Sequence, residues 1–224
     1  MRFMLARILN PAADEIDFNT IGTYLPDVYR NDSSVEATAA SAGPGFRIIK
    51  THGGFQEAIP KAIVITRDGR DVITSFYHYQ RQSGKPRSVS SLIREGVWRF
   101  GTWQANVASW LDAIDQEPDR ILLLRYEDML SDPLSAVTRV TAYLGLEVSA
   151  STVHRAVEKA DRKNMAKAEV LGKPDHLKEV KFVREARKGS HSELFTHRDE
   201  RVFLRYCGAV MQRAGYSINP AGSA

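Results

Sequence analysis

Cysteine is nearly absent. Cys207 stands alone among 224 residues, so no internal disulfide can form and no cysteine-rich metal site can be built. A reducing compartment suits such a chain, and a cytoplasmic protein is expected. Long apolar runs are also missing. No stretch approaches the roughly 18 residues that a membrane span needs. The opening MRFMLARILN is apolar but too short for a signal segment once Arg2 and Arg7 are counted, and it reads instead as a helix. No G-x-x-x-x-G-K-[ST] phosphate loop occurs, and there are no internal repeats. Excess charge is small: 31 Lys and Arg against 27 Asp and Glu leave a net +4, compatible with a polyanionic ligand without demanding one. The basic stretch 155–188 mixes both signs and has no aromatic platform, so nucleic-acid binding is not expected.

What remains is an ordinary globular composition, with 43% hydrophobic and 26% charged residues and a length suited to one domain with a proper core. The most informative segment is AIVITRDGRDVITSFYHY, Ala62 to Tyr79. Ala62 to Ile65 predicts a buried strand. It stops at the polar turn Thr66-Arg67-Asp68-Gly69, and a helix follows to about Gln82 with Val72, Ile73, Phe76 and Tyr77 on one face. A strand that ends where a helix begins brings free backbone N–H groups and the positive helix end together. Arg67 adds a planar charge suited to a phosphate. An anion held at the end of a parallel strand is the expectation.

The rest of the chain alternates in the same way. Phe46 to Thr51 predicts a short β-branched strand ending at His52-Gly53-Gly54. A helix near Thr102 to Ile114 carries Trp103, Val107, Trp110, Leu111 and Ile114 on one face. Ile121 to Arg125 is apolar enough for a strand buried on both sides. Pro133 to Leu144 predicts a helix with Asp132 as N-cap, Pro133 at N1 and Gly145 after its end. Ser149 to Lys159 is another, and His197 or Thr196 opens a last one to about Ala214. Residues 11–45 are poor in pattern, and 163–193 read as a long charged surface segment. Strands alternating with helices argue an α/β three-layer domain around a parallel sheet.

Several blocks then resemble the cytosolic-type sulfotransferases, in that family's order and with similar gaps. RIIKTH at 47–52 is similar to a strand ending in Lys-Thr-His. VITRDGRDVITSFYHY resembles the signature Arg-(Asn/Asp)-x-(Lys/Arg)-Asp-Val-x-x-Ser-x-Tyr-His. GTWQANVASWLD resembles the helix before the next strand, and LRYEDMLSDP a Tyr-Glu-Asp block. FVREARKGSHSELFT at 182–196 is a worn version of Phe-x-Arg-(Lys/Arg)-Gly-x-x-Gly-x-Trp. The resemblance implies a single domain over 1–224 with a P-loop-NTPase-like three-layer fold. It implies transfer of a sulfuryl group from 3′-phosphoadenosine-5′-phosphosulfate to a hydroxyl or amine of a small molecule, with no metal required. Carried over position by position, His52 is the general base and Lys50 contacts the sulfuryl group. Arg67 and Ser75 hold the donor's 3′-phosphate, and Tyr126 lies near the adenine. Tyr77 and His78 read as structural, and His154, His176 and His197 as surface residues.

The departures are as informative. The family opens with a strand and a Pro-Lys-Ser-Gly-Thr-Thr-Trp loop whose amides cradle the 5′-phosphosulfate, and this sequence carries neither. Met1 to Ala6 resembles the helix just after that loop, which implies either a start codon placed too late or a truncated gene. A sheet lacking that central strand would have open edges, and weak donor binding with little turnover is expected of the chain as written. The alternative reading is therefore a catalytically impaired nucleotide-binding relic. At Arg184-Glu185-Ala186 the family has Arg-Lys-Gly; Arg184 survives, and Arg187 and Lys188 could compensate for Glu185. His191 stands where the family has a tryptophan. The family's C-terminal dimer motif keeps only Thr196 within 192–201, which weakens the expectation of that dimer, and the oligomeric state and the acceptor stay open.

Overall fold

The structure, a computed structural model, describes residues 1–13, 15–28, 46–97, 100–172 and 188–218. These fall into two compact units, Met1–His52 with Met129–Ala186, and Gly53–Asp128 with Arg187–Ala224.

The second unit holds the sheet. Strand β1 (Ala62–Thr66) pairs in parallel with β2 (Ile121–Arg125), in register from Ala62 opposite Ile121 to Thr66 opposite Arg125. A parallel pair needs a crossover, and three helices supply it. They are α3 (Gly69–Gln82), α4 (Val89–Glu95) and α5 (Trp103–Gln116), numbered after the two N-terminal helices described below. Each begins on a side-chain cap: Asp68 accepts from the Arg70 N–H, Ser88 from Ser91 and Thr102 from Ala105. The last helix of the chain, α10 (His197–Arg213), opens on a capping box between Thr196 and Asp199. Its Phe203, Cys207 and Met211 recur at helical spacing and lie in one core with Ile73, Leu92, Ile93, Trp103 and Leu111. Full burial of each such large apolar side chain is worth about 1.5–3 kcal/mol. A second cluster seats Trp110, Ala113 and Ile121 against Phe55, Ala62 and Val64, tying α5 to the sheet.

The first unit is helical. It contains α1 (Arg2–Leu9), α2 (Ile21–Tyr24), α7 (Pro133–Tyr143), α8 (Ala150–Lys159) and α9 (Arg162–Leu171); α6 (Tyr126–Ser131) follows β2 directly. Asp132 caps α7 as expected, and of the two serines able to cap α8, Ser149 and Ser151, Ser149 does so. Ile8 of α1 meets Val137, Val153 and Ala156.

Some expectations are corrected. Phe46 to Thr51 is not a ladder strand: among the described residues Lys50 makes an isolated parallel bridge to Asp27. The segment 163–193 is not uniformly irregular surface. It begins inside α9, whose N-cap Asp161 accepts from Asn164, and it ends in a short 3-10 turn (Ser190–Glu193) that buries His191. Strand β2 is not buried throughout, since Leu122 and Leu123 are half-buried, and Ile65 of β1 is 42% exposed. With two strands in the described sheet, each strand is an edge, and an edge strand keeps part of its surface in solvent. In α1 the buried residues are Leu5, Ala6 and Ile8. No described helix is long and apolar enough to cross a membrane.

Gly69 is a tight joint between α3 and the core rings. A Cβ built on it would lie 2.8 Å from both the Phe203 and the Trp103 rings. Gly69→Ala is expected to cost about 1–3 kcal/mol by overpacking, read as a fall in the thermal midpoint; an unchanged midpoint would mean that the rings yield freely.

Candidate functional site

The register of the sheet creates the first cluster. Because Thr66 pairs with Arg125, the two chains leave the sheet side by side, and the next residues meet. The Arg67 guanidinium lies over the Tyr126 ring, 4.8 Å from its centroid. Arg67, Asp71 and Ser75 then follow at helical spacing on one side of the first turns of α3. Arg67 Nη2 is 3.6 Å from Asp71 Oδ2. The Ser75 hydroxyl makes no hydrogen bond among the described residues; the i−4 backbone bond on this helix is made by Thr74, to the Arg70 carbonyl at 2.9 Å.

Asp71 is only 1% exposed and is surrounded by donors. It accepts from the Gly189 N–H at 2.8 Å, the Ser190 hydroxyl at 3.1 Å, the His191 N–H at 3.0 Å and His191 Nδ1 at 3.1 Å. Burial would raise the pKa of this carboxyl, but the bonds from His191 and Gly189 and the Arg67 charge outweigh it and hold it well below the usual carboxylate range. The contact brings residues 189–191 to the same face as Arg67. Lys188 is exposed, and Gly189 follows it at φ 78°, a left-handed conformation that favours glycine.

The turn itself differs from expectation. Glu127 Oε1 accepts from the Asp68 N–H at 3.0 Å, and Asp68 caps Arg70 N–H at 2.9 Å, so these first amides are already engaged. Tyr216 donates to Glu127 Oε2 at 3.0 Å, and Arg70 binds both Asp68 and the Ser217 carbonyl. The Asp68 and Arg70 amides are thus not free to meet an anion, and the charge on offer at this turn is that of the Arg67 guanidinium.

The second cluster belongs to the other unit. Lys50 N–H bonds to the Pro26 carbonyl at 2.8 Å, and its own carbonyl accepts from Val28 at 3.1 Å. In an extended chain alternate residues share a face, so Lys50 and His52 project together. The Lys50 ammonium is paired with the buried carboxylate of Asp27 and lies 2.5 Å from His52 Nε2. Partial desolvation of the ring, followed by the Lys50 and Arg2 charges, pushes the His52 pKa down to about 4 against the raising pull of Asp27. His52 is exposed as a residue, and the ring is neutral at physiological pH with Nε2 facing the Lys50 ammonium.

Of the sequence-predicted residues, the structure brings Arg67 and Tyr126 together with Ser75 on the same helical face, and Lys50 and His52 together elsewhere; Lys188 is exposed and precedes Gly189, whose N–H binds Asp71. Arg184 and Arg187 lie outside the described residues, as does His176. Three residues were missed: Asp27, Asp71 and His191. Asp71 sits inside the signature itself, but its partners are 118 to 120 residues away, so no local pattern announces them. One signal was legible. Arg187-Lys188-Gly189 spells the family triplet, three residues after the stretch with which that triplet had been matched. His191, expected where a tryptophan would flank the adenine, instead turns inward to Asp71. Among the described residues, no three or more His, Cys, Asp and Glu side chains are arranged to hold a metal.

The sulfotransferase domain family matches residues 4–215. The chain belongs to that family. Human Sulfotransferase 1C2 is 25% identical over 199 residues, covering 80% of this chain and 66% of the relative. Mouse Sulfotransferase 1E1 is 26% identical, covering 71% and 59%. The Flavonol 4′-sulfotransferase of Flaveria chlorifolia is 33% identical over a shorter region, 38% of this chain and 29% of its own. The chain thus spans less than two thirds of these relatives. Among solved structures, a mouse sulfotransferase complexed with PAP superposes with a TM-score of 0.61 at 23% identity, covering 75% of this chain and 66% of its own. A retinol dehydratase in complex with androsterone and inactive cofactor PAP gives 0.62 at 17%, covering 84% and 59%. The fold is that of this sulfotransferase family.

The His52 environment sets an expected titration. A neutral imidazole beside an ammonium resists protonation, so the proton NMR midpoint of His52 should lie below about 5, against an unperturbed value near 6.5. Lys50→Met removes a lowering charge and should move the midpoint up; a wild-type midpoint at or above 6.5 would refute the cluster.

Proposed function

We propose that this chain is a sulfotransferase that uses 3′-phosphoadenosine-5′-phosphosulfate as donor and a small molecule bearing a hydroxyl or amine as acceptor. The observation that carries the reading is the end of β1, where Arg67, stacked on Tyr126, shares a helix face with Ser75 and lies beside Asp71, which also binds the Gly189 N–H. The fit is chemical. A guanidinium presents a rigid fork that matches phosphate oxygens. A serine hydroxyl two helical turns away adds a donor, and an aromatic ring offers a face for a purine. PAP in two structures of similar fold supports the same reading.

In this reading His52 and Lys50 do the chemistry. The neutral His52 accepts the acceptor's hydroxyl proton at Nε2 as oxygen attacks sulfur, so the hydroxyl takes the place that Lys50 occupies beside the ring. Lys50, oriented by Asp27, carries the positive charge needed as negative charge grows on the oxygens around sulfur. A base with a pKa near 4 keeps its lone pair across the physiological range, so the acid limb of transfer should fall well below that of an ordinary histidine.

Calorimetric titration with 3′,5′-bisphosphoadenosine, compared with adenosine 5′-monophosphate, tests the donor site. The bisphosphate should bind more tightly, and Arg67→Ala should remove roughly ten-fold or more of that preference. Equal binding of the two nucleotides would overturn the reading. In a sulfuryl-transfer assay His52→Ala should lower turnover by about 10²–10⁴-fold while leaving bisphosphate affinity near wild type. Binding without any transfer by the wild type would favour the relic reading instead.

A further inference from the structure

We propose that Asp71 is the positioning residue of the anion site: one buried carboxylate clamps the loop Gly189-Ser190-His191 to the first turn of α3 and holds Arg67 beside it. The inference rests on the donor-site reading above and deepens it, because Asp71 would act through its neighbours without touching a ligand.

The accounting of its lone pairs carries the argument. A carboxylate offers about four acceptor sites, and here all are used. Oδ1 takes the Ser190 hydroxyl, the His191 N–H and His191 Nδ1, while Oδ2 takes the Gly189 N–H and faces Arg67. With 1% exposure Asp71 has no surface left to offer a bound molecule. A negative charge near an anion site would oppose binding if it were bare; surrounded by these donors it becomes an organiser of cations and amides. Because the carboxylate only accepts, His191 carries its proton on Nδ1 toward Asp71, and its Nε2 faces Glu200 at 3.9 Å. The His191 ring also stands edge-on to Phe195, with centroids 5.9 Å apart, and Phe195 in turn packs on Phe203 of the core. The loop is therefore fastened at one end to the helix that follows Arg67 and at the other to the hydrophobic core. Gly189, in its left-handed conformation, turns its N–H into the clamp directly after Lys188. One side chain thus lies beside the guanidinium and fastens residues 189–191 to the helix.

The test compares the wild type with Asp71→Asn in two measurements. Amide hydrogen exchange at Gly189 and His191 reads the clamp, and titration with 3′,5′-bisphosphoadenosine against adenosine 5′-monophosphate reads the anion site. Asp71→Asn keeps the shape but turns one oxygen into a donor facing donors. It should speed exchange at both amides and cut affinity for the bisphosphate about ten-fold or more, with affinity for the monophosphate little changed. A purely structural role would lower both affinities together and would overturn the proposal. Amides that stay protected, or a preference for the bisphosphate that survives Asp71→Asn, would overturn this inference alone. A wild type that does not distinguish the two nucleotides overturns the functional reading and this inference with it. Should Asp71→Asn fail to fold, His191→Phe, which keeps a ring but removes the Nδ1 donor, should give the same selective loss in smaller measure, and an unchanged preference would again refute the clamp.

Discussion

Everything at the first cluster follows from the register of one parallel strand pair. With Thr66 opposite Arg125, the backbone of each strand emerges beside the other, and the two side chains that come next cannot avoid contact. A slip of one residue would send Arg67 and Tyr126 to opposite faces. The register is fixed in turn by the apolar face that Ala62, Val64 and Ile121 bury against α5. The stack of a guanidinium on an aromatic ring is therefore a consequence of core packing, although its chemistry is polar.

Both clusters use the same electrostatic device. A buried acid lies beneath an exposed or half-exposed cation: Asp71 under Arg67, and Asp27 under Lys50. A buried ion pair is weak as a source of stability because desolvation offsets much of the Coulomb gain. Its value lies in direction. A long cationic side chain with an anchored base loses less entropy when it engages a ligand. In the second cluster the same ammonium also suppresses protonation of His52, so one contact orients a cation and keeps a base free.

Much of the architecture was legible from spacing. The helix from Gly69 to Gln82, the strand from Ile121 to Arg125 and the cap at Asp132 appear where turn chemistry and periodicity put them, and the structure chooses Thr196 over His197 as the cap of the last helix. Those signals are local, carried by residues within about one helical turn of each other. The failures were of another kind. FRIIKT has the composition of a strand, but a ladder needs a continuous run of pairing, and Lys50 meets Asp27 in an isolated bridge. His191 carries a polar label in a charged stretch, yet it is buried because a carboxylate far away in sequence awaits it.

The order of residues by itself determined the strand-turn-helix around Arg67 and the family to which the blocks belong. These rest on periodicity and on short-range geometry, which a linear string records in full. Tertiary structure alone decided that the helix-start amides are capped by Asp68 and Glu127, that Asp71 gathers the 189–191 loop, and that Asp27 sits under Lys50. Each of these joins groups separated by chain that the fold must first bring together, or depends on which acceptor wins a donor once water is gone. The free energy of a buried polar group is set by its partners, and partners are a property of three dimensions.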